Sequence, residues 1–259
     1  MDTYGPEAWY GGLPRITRAL LTIMFLLTVL TTFRIISPQT LILDWQLIRK
    51  NYEIHRIILG CLYVGQFSFK WAIQAYMFAQ FSSMLERNPV FSMSIGSYLY
   101  FILIEMLILS VISMGIFWPS GFPMLNDALL FAIIYYWSKR DMWNTVSIYM
   151  FTVKAYQLPF VMLFINFIMG APMVVNLIGL IGGHAYYFIR EVLPTRGFYN
   201  IFGRCPQCLD YLADKIDSVF NFSYLNWYDG TRSTPYTSSN RPTRPNTGFV
   251  GRGIRLGGT

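Results

Sequence analysis

The chain has 259 residues, of which 54% are apolar and only 13% charged, and its mean hydropathy is +0.40. Soluble domains run at roughly 45–50% apolar and 25% charged, so composition excludes an ordinary soluble domain and leads to a polytopic membrane protein. The net charge of +7 does not point to nucleic acid, because the basic residues lie largely between and after the apolar runs, where they set topology.

Residues 1–14 are polar and Gly-rich, and no small-residue cleavage site follows the first apolar run, so they read as a cytosolic N-terminus. Helix one is expected over residues 16–36, behind Arg15 and Arg18 and closed by Ser37-Pro38. The loop 40–56 mixes Trp45, Tyr52, Arg49, Lys50 and the pair His55-Arg56, as an interfacial segment would. Its four basic residues fall on the far side of the membrane, against the positive-inside rule. The second run, 57–81, carries Gln66, Lys70 and Gln74 at i, i+4 and i+8, on one helix face. A lysine near mid-bilayer costs about 2.5–3.5 kcal/mol, so either that face looks into a wet cavity or Lys70 snorkels to an interface. After the turn Met84-Leu85-Glu86-Arg87-Asn88-Pro89, the third run, 92–116, holds the isolated acid Glu105.

Trp118-Pro119-Ser120-Gly121-Phe122-Pro123 is a turn. The fourth run, 125–137, would reach only about 20 Å of a hydrocarbon core near 30 Å, and so must be shielded by other helices or sit in thinned membrane. It opens with polar Asn126 and Asp127, which together with Gln66, Lys70 and Gln74 are expected to form a polar cavity that thins the bilayer and offers wet surface to a polypeptide. Residues 145–156 are ambiguous, and a fifth run continues to 169. The sixth run, 174–192, contains Gly179 and Gly183, whose i, i+4 spacing lets a neighbouring helix approach almost to backbone contact, followed by His184. The whole is expected to be an all-α six-helix bundle over 15–192 with both termini cytosolic, extended by a C-terminal tail.

In the juxtamembrane segment, 193–229, Leu209, Leu212, Ile216 and Val219 recur at helical spacing opposite Asp210, Asp214 and Asp217, which predicts an amphipathic helix. Residues 230–247 are too polar to bury a core and read as a disordered linker. The end, 248–259, includes FVGRGIRL, in which Phe249 and Leu256 could fill pockets while Gly251 and Gly253 admit close backbone approach. Cys205 and Cys208 form a lone CxxC, short of the four ligands a structural zinc needs, and no metal or cofactor is expected. Asn221 begins a sequon that a cytosolic tail must leave unmodified.

These pieces together resemble the derlins, the catalytically dead branch of the rhomboid fold. The resemblance rests on LPRITR (13–18), MLER (84–87), YYWSKR (135–140), GLIGGHAYYF (179–188) and the tail FVGRGIRL, and covers 13–192 plus the last ten residues. Where rhomboids and derlins share a Trp-Arg pair in the first loop, this chain has His55-Arg56. Active rhomboids take a serine from a Gly-x-Ser on helix four and a histidine three residues before the first glycine of helix six. Here those positions are about Asn126 and Asn176, neither able to act as a nucleophile or base. The resemblance implies a non-enzymatic role in endoplasmic-reticulum-associated degradation. The expected partners are misfolded polypeptides, a RING ubiquitin ligase of the same membrane, the bilayer itself and the valosin-containing AAA ATPase, which the tail would dock, with homo- or hetero-oligomerisation left open. The alternatives are a small-molecule or ion transporter and a regulatory pseudoprotease that binds membrane clients.

Overall fold

The computed structural model describes residues 5–220 apart from 92, 93, 95, 149, 150, 169, 171, 198–201, 203 and 204. A short helix, α1 (Pro6–Gly11), precedes α2 (Arg15–Thr32), which is long and apolar enough to cross a membrane. α2 has no acidic residue in its first turn, and Glu86 supplies one from a distant segment. Its carboxylate accepts from Ile16 N at 3.0 Å, Thr17 N at 2.8 Å and Thr17 Oγ1 at 2.7 Å. Orphan amides are thereby satisfied and a negative charge is set against the positive pole of the helix.

The first loop is built of α3 (Pro38–Leu41) and α4 (Trp45–Asn51), the latter capped by Asp44. Arg56, almost wholly buried, draws the loop shut: Nη1 donates to Gln39 O at 2.6 Å and Ile42 O at 3.0 Å, and Nε to Glu53 Oε2 at 2.5 Å. The Asn51 amide, and with it Arg56, holds the Glu53 carboxyl below the usual carboxylate range. Trp45 anchors the loop to the bundle by donating from Nε1 to Ser110 O at 3.2 Å.

The second apolar run is not one helix. It divides into α5 (His55–Leu62) and α6 (Phe69–Glu86), because Gly65 adopts φ +112° and Ser68 caps the new helix by accepting from Trp71 N at 3.1 Å. Gln66 therefore lies exposed in the break and shares no helix face with Lys70 and Gln74.

α7 (Gly96–Ile116) is the second helix long and apolar enough to cross a membrane. α8 (Asn126–Arg140) is shorter and central: of its 15 residues, 12 are buried. The expected shielding of a short helix is thus met by its neighbours. The segment 145–156 contains the antiparallel hairpin β1 (Thr145–Ile148) and β2 (Phe151–Lys154), so the fold is mostly rather than purely helical. A 3-10 turn, Ala155–Gln157, leads into α9 (Leu158–Ile168), only 11 residues long.

α10 (Met173–Tyr187) packs most extensively on α8. A Cβ on Gly183 would stand 2.9 Å from Ala132 O and 3.0 Å from Ala132 Cα, and one on Gly179 would collide with Ala128 O. The chain leaves α10 through a π turn, Phe188–Val192, and α11 (Leu193–Thr195). Arg190 stacks over Phe91 at 4.8 Å, and Glu191 accepts from Tyr136 at 3.0 Å and pairs with Arg140 at 3.1 Å.

The amphipathic helix forms as α12 (Gln207–Phe220), with Leu209 half-buried, Ile216 packed on the core and Asp214 exposed as expected, while Asp210 and Leu212 depart from the expected faces. Asp210 points inward, accepting from Gly96 N at 2.9 Å and Ser94 Oγ at 2.8 Å, while Ala213 is fully buried and Leu212 is 44% exposed. The acid that caps the start of α7 thus shares the inward face with Ala213 and Ile216. The side chains of Asp217 and Val219 lie outside the described residues.

Candidate functional site

The break between α5 and α6 leaves carbonyls at the end of α5 without helical partners, and the start of α8 is placed to use them. Leu125 N donates to Gly60 O at 2.9 Å, and Asn126 Nδ2 donates to Cys61 O at 3.0 Å and Leu62 O at 3.4 Å. Asn126 is thereby buried at the first position of α8, with its Oδ1 turned to α6. There it accepts from Gln74 Nε2 at 2.7 Å, and the same amide also donates to Asp127 Oδ1. Lys70 Nζ lies 3.5 Å from Asp127 Oδ2. With the lysine side chain 59% exposed, this pair contributes little to stability, on the order of 0–1 kcal/mol.

Lys70, Gln74, Asn126 and Asp127 are thus one connected polar cluster between two helix N-termini. Asp127 favours the positive end of α8, and Lys70 is tolerated in the first turn of α6 because Asp127 faces it. Beside the cluster is a cavity of about 300 Å³, lined on its polar side by Lys70, Gln74 and Asp127 and elsewhere by Ile73, Met162 and Asn166. Amide donors and acceptors next to an apolar wall can hydrogen-bond a peptide group.

The remaining sequence candidates are dispersed. His184 is exposed, and its Nδ1 shares a 2.7 Å hydrogen bond with the Tyr135 hydroxyl, tying α10 to α8. His55 is exposed beside buried Arg56, and the ring that anchors the first loop is Trp45. Glu105 is fully buried on α7 against α10, in space left by Gly182, and among the described residues its oxygens have no hydrogen-bond partner. Asn176 is likewise buried and unpaired. Burial pushes the Cys205 thiol up, and among the described residues no group of three His, Cys, Asp or Glu is placed to hold a metal ion. Phe249, Gly251, Gly253, Leu256 and the sequon at Asn221 lie outside the described residues. Glu86 and Asp210 were not legible as functional positions. Their partners are backbone amides of remote segments and the Thr17 and Ser94 hydroxyls beside them, a pairing that residue spacing does not reveal even though Glu86 falls in the MLER motif.

Helices make up most of the structure; two of them, α2 and α7, are long and apolar enough to cross a membrane, and the short buried α8 carries a polar cluster at its start. A family model described as the Der1-like family matches residues 13–204, and the chain belongs to that family. Among similar proteins, Derlin-1 of Arabidopsis thaliana is 34% identical over 193 residues, covering 73% of this chain and 70% of the relative. Derlin-2.2 of the same plant is 33% identical over 196 residues, covering 73% and 80%. Derlin-1.2 of Zea mays is 32% identical over 193 residues, covering 73% and 77%.

Proposed function

We propose that the chain is a catalytically inactive, rhomboid-like protein of the endoplasmic reticulum membrane that helps misfolded polypeptides cross to the cytosol. In this reading α2, α6, α7, α8, α9 and α10 provide six crossings with both termini cytosolic. The tail, through Phe249, Gly251, Gly253 and Leu256, recruits the valosin-containing AAA ATPase, and a RING ubiquitin ligase of the same membrane acts alongside.

The observation that carries this reading is the cluster of Lys70, Gln74, Asn126 and Asp127 beside an apolar-walled cavity. A peptide group left unsatisfied in hydrocarbon costs several kcal/mol, and a membrane-level surface offering both donors and acceptors lowers that cost. α9 spans about 16 Å at 1.5 Å per residue with Phe160, Phe164 and Phe167 exposed, and so favours a bilayer thinner than the usual 30 Å core. The asparagines at the positions where rhomboids keep serine and histidine support the absence of proteolysis.

A photoactivatable residue at Asn166, on the cavity wall, should capture a misfolded client in microsomes. The same probe at Leu107, 56% exposed on α7, should not. Equal capture at both positions would contradict a client path along the cavity.

A further inference from the structure

The basic residues of the first loop fall where the topology rule wants fewest, and the structure separates them into two kinds. Arg56 is buried and used up by Gln39 O, Ile42 O and Glu53. Arg49 and Lys50 stand exposed in the last turn of α4, and among the described residues neither has a hydrogen-bond or ion-pair partner. Both line a groove of about 710 Å³ whose remaining walls include Trp45, Ile48, Met114 and Trp118.

The groove is held in a defined shape. Trp45 is pinned by its bond to Ser110 O, and the turn after α7 closes against its ring at Gly121, where a Cβ would lie 2.9 Å from Trp45 Cδ1. Gly121 has φ +82°, so both backbone and space demand glycine there. Its depth in the membrane follows from α7, whose 21 apolar-rich residues are about one crossing long and end at Ile116. Met114 thus marks the upper acyl region, and Trp118, 67% exposed, the headgroup level where tryptophan concentrates.

We propose that this groove binds an anionic glycerophospholipid. The phosphate and headgroup charge lie between Arg49 and Lys50, and an acyl chain runs along Trp45, Met114 and Trp118. Two unpaired cations with no acid among the groove's lining residues select a negative headgroup, and the apolar walls select a lipid over a soluble anion.

The test uses the purified full chain in nanodiscs of phosphatidylcholine with a minority of phosphatidylserine, with retained lipid identified by native mass spectrometry. Phosphatidylserine should be enriched over its bulk share, and Arg49→Gln/Lys50→Gln should reduce that enrichment on the order of tenfold, the scale of two cations near an anionic surface. Trp118→Ala should lower retention of both lipids, whereas Arg34→Gln, removing a cation outside the groove, should leave the enrichment intact. No enrichment in the unaltered chain, or an equal loss with Arg34→Gln, would overturn the site in favour of none or of diffuse surface attraction. Loss of enrichment on adding inorganic phosphate would overturn the lipid assignment. A melting temperature unchanged between the charge variants and the unaltered chain establishes that folding is not the cause.

Discussion

Glu86 ends one helix and begins another, accepting three hydrogen bonds at the start of α2 from the last residue of α6. Truncating it leaves the Ile16 and Thr17 amides without an acceptor, so Glu86→Ala should lower stability in detergent by about 1–2 kcal/mol, with Glu86→Gln retaining part of it. A thermal melt checks this, and an unshifted melt with Glu86→Ala would remove the cap from the account. Polar residues interrupting apolar runs were conspicuous in the sequence, and Lys70, Gln74, Asn126 and Asp127 do converge in space. Gln66 was equally conspicuous and does not join them, because a glycine in the left-handed region resets the helix before it can contribute. The distinction lies in backbone geometry, to which a count of residue spacing is blind.

Among the elements, α8 and α10 are held at backbone contact by glycines, and this pairing positions the start of α8 against α6. Gly183→Leu places a branched side chain where even a Cβ is 2.9 Å from Ala132 O, so the protein should fail to fold or lose most of its thermal stability. Gly115→Ala is the matched control, since a Cβ there meets nothing within 4 Å and the melt should stay level or rise. Comparable losses from both would mean that the close approach at Gly183 is not what holds the pair. The GxxxG spacing made this contact legible. The β1–β2 hairpin was not, because β-branched and aromatic residues next to an apolar run read equally as strand or buried helix. The inward turn of Asp210 was missed for a different reason: its carboxylate is spent on capping α7 rather than on water.

For the whole molecule, the proposed function joins a membrane bundle with a polar entry to a tail that recruits an energy source. The tail half is separable, because Phe249 and Leu256 lie far in sequence from the bundle. Replacing both by alanine should abolish pull-down of the AAA ATPase while leaving membrane insertion unchanged, and retained pull-down would assign the dock elsewhere. The bundle half rests on the cavity. Family membership was legible from short motifs spread along residues 13–192 plus the tail, and a family match over 13–204 agrees with it. A polar cavity at Lys70, Gln74 and Asp127 was an expectation from the sequence, whereas its closure by Met162 and Asn166 of α9 required the structure. The most direct measurement is the degradation rate of a misfolded membrane-crossing client in cells that lack other derlins and express Lys70→Leu/Gln74→Leu at normal abundance. Removing the cluster's cation and its bridging amide should slow client extraction severalfold with ATPase binding intact, whereas an unchanged degradation rate would contradict the polar path.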